Sequence, residues 1–182
     1  MKVRRLLTLV LTLGLLLALS LPAQAADLTY EVSGGKLYFD ATTGTITRAD
    51  ETVTEADIPA EIYGVPVTAI GDYAFNQRKE LVSVTIPSTI TTIGRQAFGA
   101  CSSLEQVILP DSVTSLGQGV FYGCSGLTDV TLSKNLTSIP RDTFAACSSL
   151  TGVTLPDGIT SIGYDAFSGS GLTSLTLPDS VT

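Results

Sequence analysis

Apolar positions recur along the chain with a period of 23 residues. In residues 104–126, LEQVILPDSVTSLGQGVFYGCSG, they are Leu104, Val107, Leu109, Val113, Leu116, Phe121 and Cys124, separated mainly by Thr, Ser, Gly and Asp. Phenylalanines stand at Phe75, Phe98, Phe121, Phe144 and Phe167, which is five of the six in the chain. Leu81, Leu104, Leu127 and Leu150 keep the same step. The interval to Leu172 is one residue short, because Ser148-Ser149 is answered by Gly171 alone. A fixed period of this length marks a repeat architecture. Each unit carries two passages rich in Val, Ile and Thr and bounded by Pro or Gly: L-x-x-V-x-L-P, as in 150–156, and V-T-x-I-G, as in 113–117. Both predict strands. Between Gly117 and Cys124 there is room for about one helical turn, which would put Phe121 and Cys124 on one face. The predicted unit is strand, turn, strand, short helical corner. A lone unit has too few apolar side chains to offset the ordering of its backbone. The units must therefore stack, each residue on its counterpart, into a solenoid that is mainly β.

Two stretches fall off the beat. Residues 1–25 begin Met1-Lys2-Val3-Arg4-Arg5, run apolar through 6–21 and end Pro22-Ala23-Gln24-Ala25. This predicts an export signal cleaved after Ala25. The apolar run is shorter than the ~20 residues of a membrane span, so no membrane insertion is expected after cleavage, and the mature chain is expected to be secreted or held at the cell surface. Residues 26–66 predict an N-terminal β-hairpin cap: period-two alternation in 28–32, a turn at Ser33-Gly34-Gly35, a second strand in 36–40 and a third in 45–47. Half of the cap's acids lie between Asp50 and Asp57. Their spacing lacks the alternation and central Gly of a calcium loop, which leaves a solvated loop as the expectation. Residues 58–71 resemble the repeat with five extra residues, and the repeats proper are placed at 67–182.

Composition excludes several functions. The net charge is −7; removing Lys2, Arg4 and Arg5 with the signal leaves seven basic residues against 17 acidic ones, or −10. Nucleic acid and anionic lipid are therefore poor partners. The absence of His excludes Ser-His-Asp and Cys-His catalysis. Cys101, Cys124 and Cys147 lie 23 apart, a stacked ladder without zinc-site spacing, and are expected to be three buried free thiols. Acid pairs for hydrolysis would need a pocket, and these acids recur on turns, so no enzyme, cofactor or metal is expected. Thr68, Thr91, Thr114, Thr137, Thr160 and Thr182 predict a column of exposed β-formers whose hydroxyls find a neighbour. In the column Ser88, Asp111, Lys134, Asp157, Asp179, Lys134 is expected between two aspartates.

Departures within the repeat are informative. Gly71, Gly94, Gly117 and Gly163 are answered by Pro140 in the fourth unit, and Pro87, Pro110, Pro156 and Pro178 by Ser133. Proline cannot adopt positive φ. Either the glycines hold negative φ and serve close packing, the favoured reading, or the fourth coil is locally bent. The chain stops halfway through a unit, still in register, which predicts a fragment of a longer protein.

The phrase L-x-x-V-x-[IL]-P-x-x-[VI]-T-x-I-G-x-x-A-F-x-x-C, complete in 81–101, resembles the BspA-like class of bacterial leucine-rich repeats over residues 58–182. The resemblance implies a curved solenoid of secreted or surface-displayed bacterial proteins, some of which are adhesins for host matrix proteins such as fibronectin and fibrinogen. On that basis the chain is expected to be a protein-interaction module for an extracellular or host protein. The expected contact surface is the outward face of the first-strand sheet: Val82, Thr85, Glu105, Gln106, Ile108, Thr128, Asp129, Thr131, Thr151 and Thr154. Most of these side chains are small or polar, and they lack the aromatic and Arg anchors of tight interfaces. A passive spacer presenting another domain is the alternative.

Overall fold

The computed structural model describes residues 28–181; the expected export signal, its cleavage site and Thr182 lie outside them. Three antiparallel strands, β1 (Leu28–Val32), β2 (Gly35–Asp40) and β3 (Thr45–Ala49), form the predicted hairpin and its third strand. Alternation in β2 buries Leu37 and Phe39 completely, and their partners Ala49 and Ile46 on β3, three apart across an irregularity in the register, are equally buried. β4 (Glu55–Asp57) follows. The extra residues form a small hairpin, β5 (Glu61–Ile62) and β6 (Val65–Pro66). Its turn residues Tyr63 (φ 52°) and Gly64 (φ 80°) are both left-handed, as a two-residue hairpin turn requires. β7 (Ala69–Ile70) then runs parallel to β3, Ile46 beside Ile70, so cap and repeats share a sheet.

From here each coil repeats the same parts. We number the coils 1 to 5 by Phe75, Phe98, Phe121, Phe144 and Phe167. Coil 2 holds β8 (Ser83–Thr85) and β9 (Thr92–Ile93), and coil 3 holds β10 (Gln106–Ile108) and β11 (Ser115–Leu116). Coil 4 holds β12 (Asp129–Thr131) and β13 (Ser138–Ile139), and coil 5 holds β14 (Ser161–Ile162). The first sheet is β4-β8-β10-β12 and the second is β1-β2-β3-β7-β9-β11. Within the repeats neighbours pair in parallel with a 23-residue step, as in Thr92 with Ser115 and Gln106 with Asp129. Between the sheets, Leu81, Leu104, Leu127 and Leu150 are wholly buried. The phenylalanines stack as near-parallel rings, centroids 5.0, 5.7, 5.6 and 5.5 Å apart.

The corners are not the short helices that the spacing predicts: the described residues contain no helix, and each corner is a chain of turns. Alternate amides do different jobs. The N–H groups of Tyr73, Phe75 and Gln77 donate to Arg95, Ala97 and Gly99 of the next coil, while those of Ala74, Asn76 and Arg78 donate three residues back. The N–H groups of an α-helix point along its own axis and would not reach sideways to the next coil. Two columns of left-handed residues make this possible: Tyr73, Gln96, Gly119, Asp142, Asp165 and, four further on, Gln77, Ala100, Gly123, Ala146, Gly169. A Cβ at Gly123 would meet only ordinary contacts, the nearest 3.7 Å away on Ala100, so backbone strain decides a substitution there. Gly123→Ala is expected to destabilise, and Ala146→Gly to stabilise, each by about 0.5–1 kcal/mol. Urea denaturation giving the opposite order would refute the left-handed assignment.

None of Gly71, Gly94, Gly117 and Gly163 has positive φ; they serve close packing. A Cβ at Gly117 would stand 2.3 Å from the backbone N of Arg95, and one at Gly163 2.3 Å from that of Arg141. The amides of Gly94, Gly117 and Gly163 donate to Ile70, Ile93 and Ile139, each at 2.7 Å. Pro140, in the same column, has no amide proton and does carry a Cβ. There the second sheet stops at β11 and resumes as a separate pair, β13 with β14. One coil later the first sheet is the one interrupted. Residues 151–154 form no strand, and among the described residues no backbone hydrogen bond joins them to β12. Coil 4 is thus bonded to coil 3 through the first sheet and to coil 5 through the second, with corner bonds continuous across both.

Candidate functional site: the outer face of the first sheet

The first sheet turns alternate residues outward, and all ten residues of the predicted face are exposed. Five of them lie on strands: Thr85, Gln106, Ile108, Asp129 and Thr131. Register sets Gln106 beside Asp129 and Ile108 beside Thr131. The carbonyl of Glu105 accepts the amide (2.9 Å) and the hydroxyl (3.1 Å) of Thr128. β8 and β10 share a single pair, Ser83 with Gln106, and then splay. The opening is a cleft of about 370 Å³ walled by Val84, Ile86, Ile108 and Pro110. Val82 precedes Ser83, the first residue of that lining, whereas Thr151 and Thr154 lie across the interruption from Asp129, on a second cleft of about 380 Å³ lined by hydroxyls.

The face also extends the other way. β4 pairs with β8, Glu55 beside Ser83 and Asp57 beside Thr85, adding two exposed carboxylates from the stretch expected to be a loop. The signal was present: Ala56-Asp57-Ile58-Pro59 answers Val84-Thr85-Ile86-Pro87. Glu55, Asp57, Glu105 and Asp129 make this face acidic. Asp50, in the same stretch, accepts the Lys36 amide (3.1 Å) and the Tyr38 hydroxyl (3.0 Å) and so anchors the cap. Among the described residues no three His, Cys, Asp or Glu side chains converge as a metal site, and no helix is long and apolar enough to cross a membrane.

The remaining columns have structural roles. The hydroxyls of Thr91 and Thr160 donate to the carbonyls of Thr68 and Thr137 one coil back, at 3.3 and 3.1 Å. Lys134 meets Asp111 at 3.6 Å; among the described residues it makes no ion pair with Asp157, the second aspartate expected beside it. Both Lys134 and Asp111 are largely exposed, so the pair contributes little. Cys101, Cys124 and Cys147 are free and buried, and their Sγ atoms donate to the carbonyls of Phe75, Phe98 and Phe121 at 3.0–3.1 Å. Hydrogen bonding with the Cys101 thiol, then burial, holds the Cys124 thiol well above its ordinary range, and burial pushes Cys147 up to about 12. Thiols raised in this way favour the fold below the unfolded pKa, near 9, and that contribution is lost as the pH rises toward 12. We expect three thiols to titrate in the denatured chain with or without reductant, and none to react quickly in the folded chain at pH 8. Two thiols missing before reduction would disprove the ladder.

Anchor-type side chains do occur, on the corner edge, where sequence reasoning did not look. Tyr73, Tyr122 and Tyr164 are exposed there. The guanidinium of Arg95 lies over the Tyr73 ring at 5.8 Å and that of Arg141 over the Tyr164 ring at 5.6 Å.

Comparison with known proteins places this architecture. The BspA type leucine-rich repeat region matches residues 68–182 in six copies. A leucine-rich cell-surface protein from Faecalibacterium prausnitzii A2-165 is similar at 32% identity and TM-score 0.61, over 86% of this chain and 50% of its own. A leucine-rich repeat protein from Eubacterium ventriosum (24% identity, TM-score 0.50, 80% and 50% covered) and the pneumococcal vaccine antigen PcpA (19%, 0.56, 86% and 50%) share the fold. The chain spans half the length of each of these three. Comparison with curated proteins finds no match. With its repeat phrase, stacked coils and matched family, the chain belongs to the BspA-type leucine-rich repeat proteins.

Proposed function

We propose that the chain is a non-enzymatic, secreted or cell-surface interaction module that binds an extracellular protein through the outer face of the first sheet. The observation that supports this reading most is the face itself. Strands β4, β8, β10 and β12 present rows of exposed side chains one strand apart, so one partner can touch several coils. The similarity to a cell-surface protein of F. prausnitzii supports the location. The acidity of the face favours a partner with basic surface. One observation favours the spacer reading: among the ten predicted residues there is no aromatic or Arg side chain.

The test is binding of the chain to a panel of immobilised extracellular-matrix proteins, alongside Glu105→Lys and Asp129→Lys. The expected result is saturable binding that both reversals weaken, with the circular dichroism spectrum unchanged. Unchanged binding would reject the face, and absence of binding by a folded array would favour the spacer.

A further inference from the structure

The corner edge of coils 3 to 5 carries a second surface, separate from the sheet face. Tyr122, 46% exposed, forms one wall of an open cleft of about 520 Å³ whose floor is Ala145, Ala146 and Gly169 and whose rim holds Asp142 and Asp165. The two aspartates belong to one left-handed column, φ 58° and 55°, and so stand on successive coils, a strand spacing of ~4.8 Å apart. Arg141 Nε reaches one oxygen of Asp142, Oδ2, at 3.1 Å, while its guanidinium is drawn over the Tyr164 ring. The other oxygen of Asp142 and the whole carboxylate of Asp165 accept no hydrogen bond from side chain or backbone among the described residues. The other stacked acid column has the same pairing, Lys134 with Asp111 at 3.6 Å and Asp157 in no ion pair among the described residues, but no tyrosine lines the cleft beside Asp157. The corner thus combines an aromatic face, a floor of small apolar groups and two neighbouring carboxylates, of which Asp142 is held by Arg141 through one oxygen and Asp165 makes no ion pair among the described residues.

We propose that this cleft takes a lysine or arginine side chain of a partner protein. The alkyl stem lies on Ala145 and Ala146 and along the Tyr122 ring, since long basic side chains cover apolar surface with their stems. The cationic head sits between Asp165 and the free oxygen of Asp142, where charge-assisted hydrogen bonds and the ring quadrupole act together. The chain's net charge of −7 draws a basic segment toward it. This surface does not depend on the sheet face proposed above, and the two fail independently.

The test is a titration of the isotopically labelled chain with octalysine, followed by amide chemical shifts, with octaglutamate and cellohexaose as comparison ligands. The expected shifts concentrate at Tyr122, Ala145, Ala146, Asp165 and Gly169. Asp165→Asn and Tyr122→Ala each weaken binding about tenfold, while Asp157→Asn, an equal charge change at a remote exposed site, weakens it less than twofold. Melting temperatures of the variants checked against the parent separate binding from folding. The proposal is overturned by absence of binding, by equal effects of Asp157→Asn and Asp165→Asn, which would mean net-charge attraction alone, or by shifts confined to Gln106 and Asp129. It is equally overturned if cellohexaose binds at Tyr122 and octalysine does not, which would make the cleft a glycan site.

Discussion

Phe121→Ala is expected to cost about 3–5 kcal/mol and to split the cooperative unfolding of the array. The ring is wholly buried and stacks on Phe98 at 5.7 Å and on Phe144 at 5.6 Å, so truncation opens a cavity and removes two aromatic contacts, each worth about 0.5–1.5 kcal/mol beyond area burial. Coils touch only their neighbours, so stability is a sum of coil and interface terms, and a defect in coil 3 weakens two interfaces at once. Phe167, the last ring of the ladder, is only partly buried and has one stacked neighbour among the described residues. Phe167→Ala should therefore cost roughly half as much. Urea denaturation followed by circular dichroism measures both, and equal costs would show that the ring ladder is not the axis of the fold.

Gly117→Ala is expected to cost about 3 kcal/mol, although it adds a single methyl group. The new carbon would lie 2.3 Å from Arg95 N and 2.6 Å from Gly94 C. These are backbone atoms that cannot swing aside, so coils 2 and 3 must separate along the second sheet. Overpacking of this kind costs about 1–3 kcal/mol, and the strained bond from the Gly117 amide to Ile93 adds about 1. Gly152→Ala is the control, because a Cβ there meets nothing within 4 Å; if it costs as much, the close-packing argument fails. Pro140 shows what the natural chain does with a bulky residue in this column: the sheet parts. Pro140→Gly would supply a donor for the Leu116 carbonyl but add backbone freedom to the unfolded chain. These effects nearly cancel, so stability should change by less than about 1 kcal/mol while the amide at position 140 gains protection from exchange.

Much of this was legible in the sequence because repetition multiplies a weak local signal. One Phe or one Leu says little, but five phenylalanines at a step of 23 identify the core column, and the structure buries four of them wholly and Phe167 in part. The cap hairpin was legible from its period-two alternation and the Ser33-Gly34-Gly35 turn. The corners were misread because spacing alone cannot separate a helical turn from linked β-turns; both bring Phe121 and Cys124 inward. The distinguishing mark was Gly119, Gly123 and Gly169 in two columns four residues apart, diluted by Tyr73, Gln96, Asp142 and Ala146 holding the same left-handed shape. The proline at 140 was seen as a departure, yet its effect depends on a bond between coils that no single unit contains. The splaying of β8 from β10 and the loss of a strand at Thr151-Gly152-Val153-Thr154 are likewise properties of the stack. For the candidate face, alternation told which side chains point outward, but not where the row of strands begins or breaks.

The staggered interruptions around coil 4 have a mechanical meaning. A stack tied by two sheets and a corner resists bending as a beam does, with hydrogen bonds near its surfaces carrying the tension. At the junction of coils 3 and 4 the tie on the second-sheet side is cut, and at the next junction the tie on the first-sheet side is cut. The beam therefore has two notches on opposite sides, one coil apart, joined by the unbroken corner. A load that bends the solenoid either way opens one notch while the other stays closed. Compliance is expected to be greatest at this short joint, between the cap with coils 1 to 3, which the second sheet ties continuously, and coil 5 beyond it.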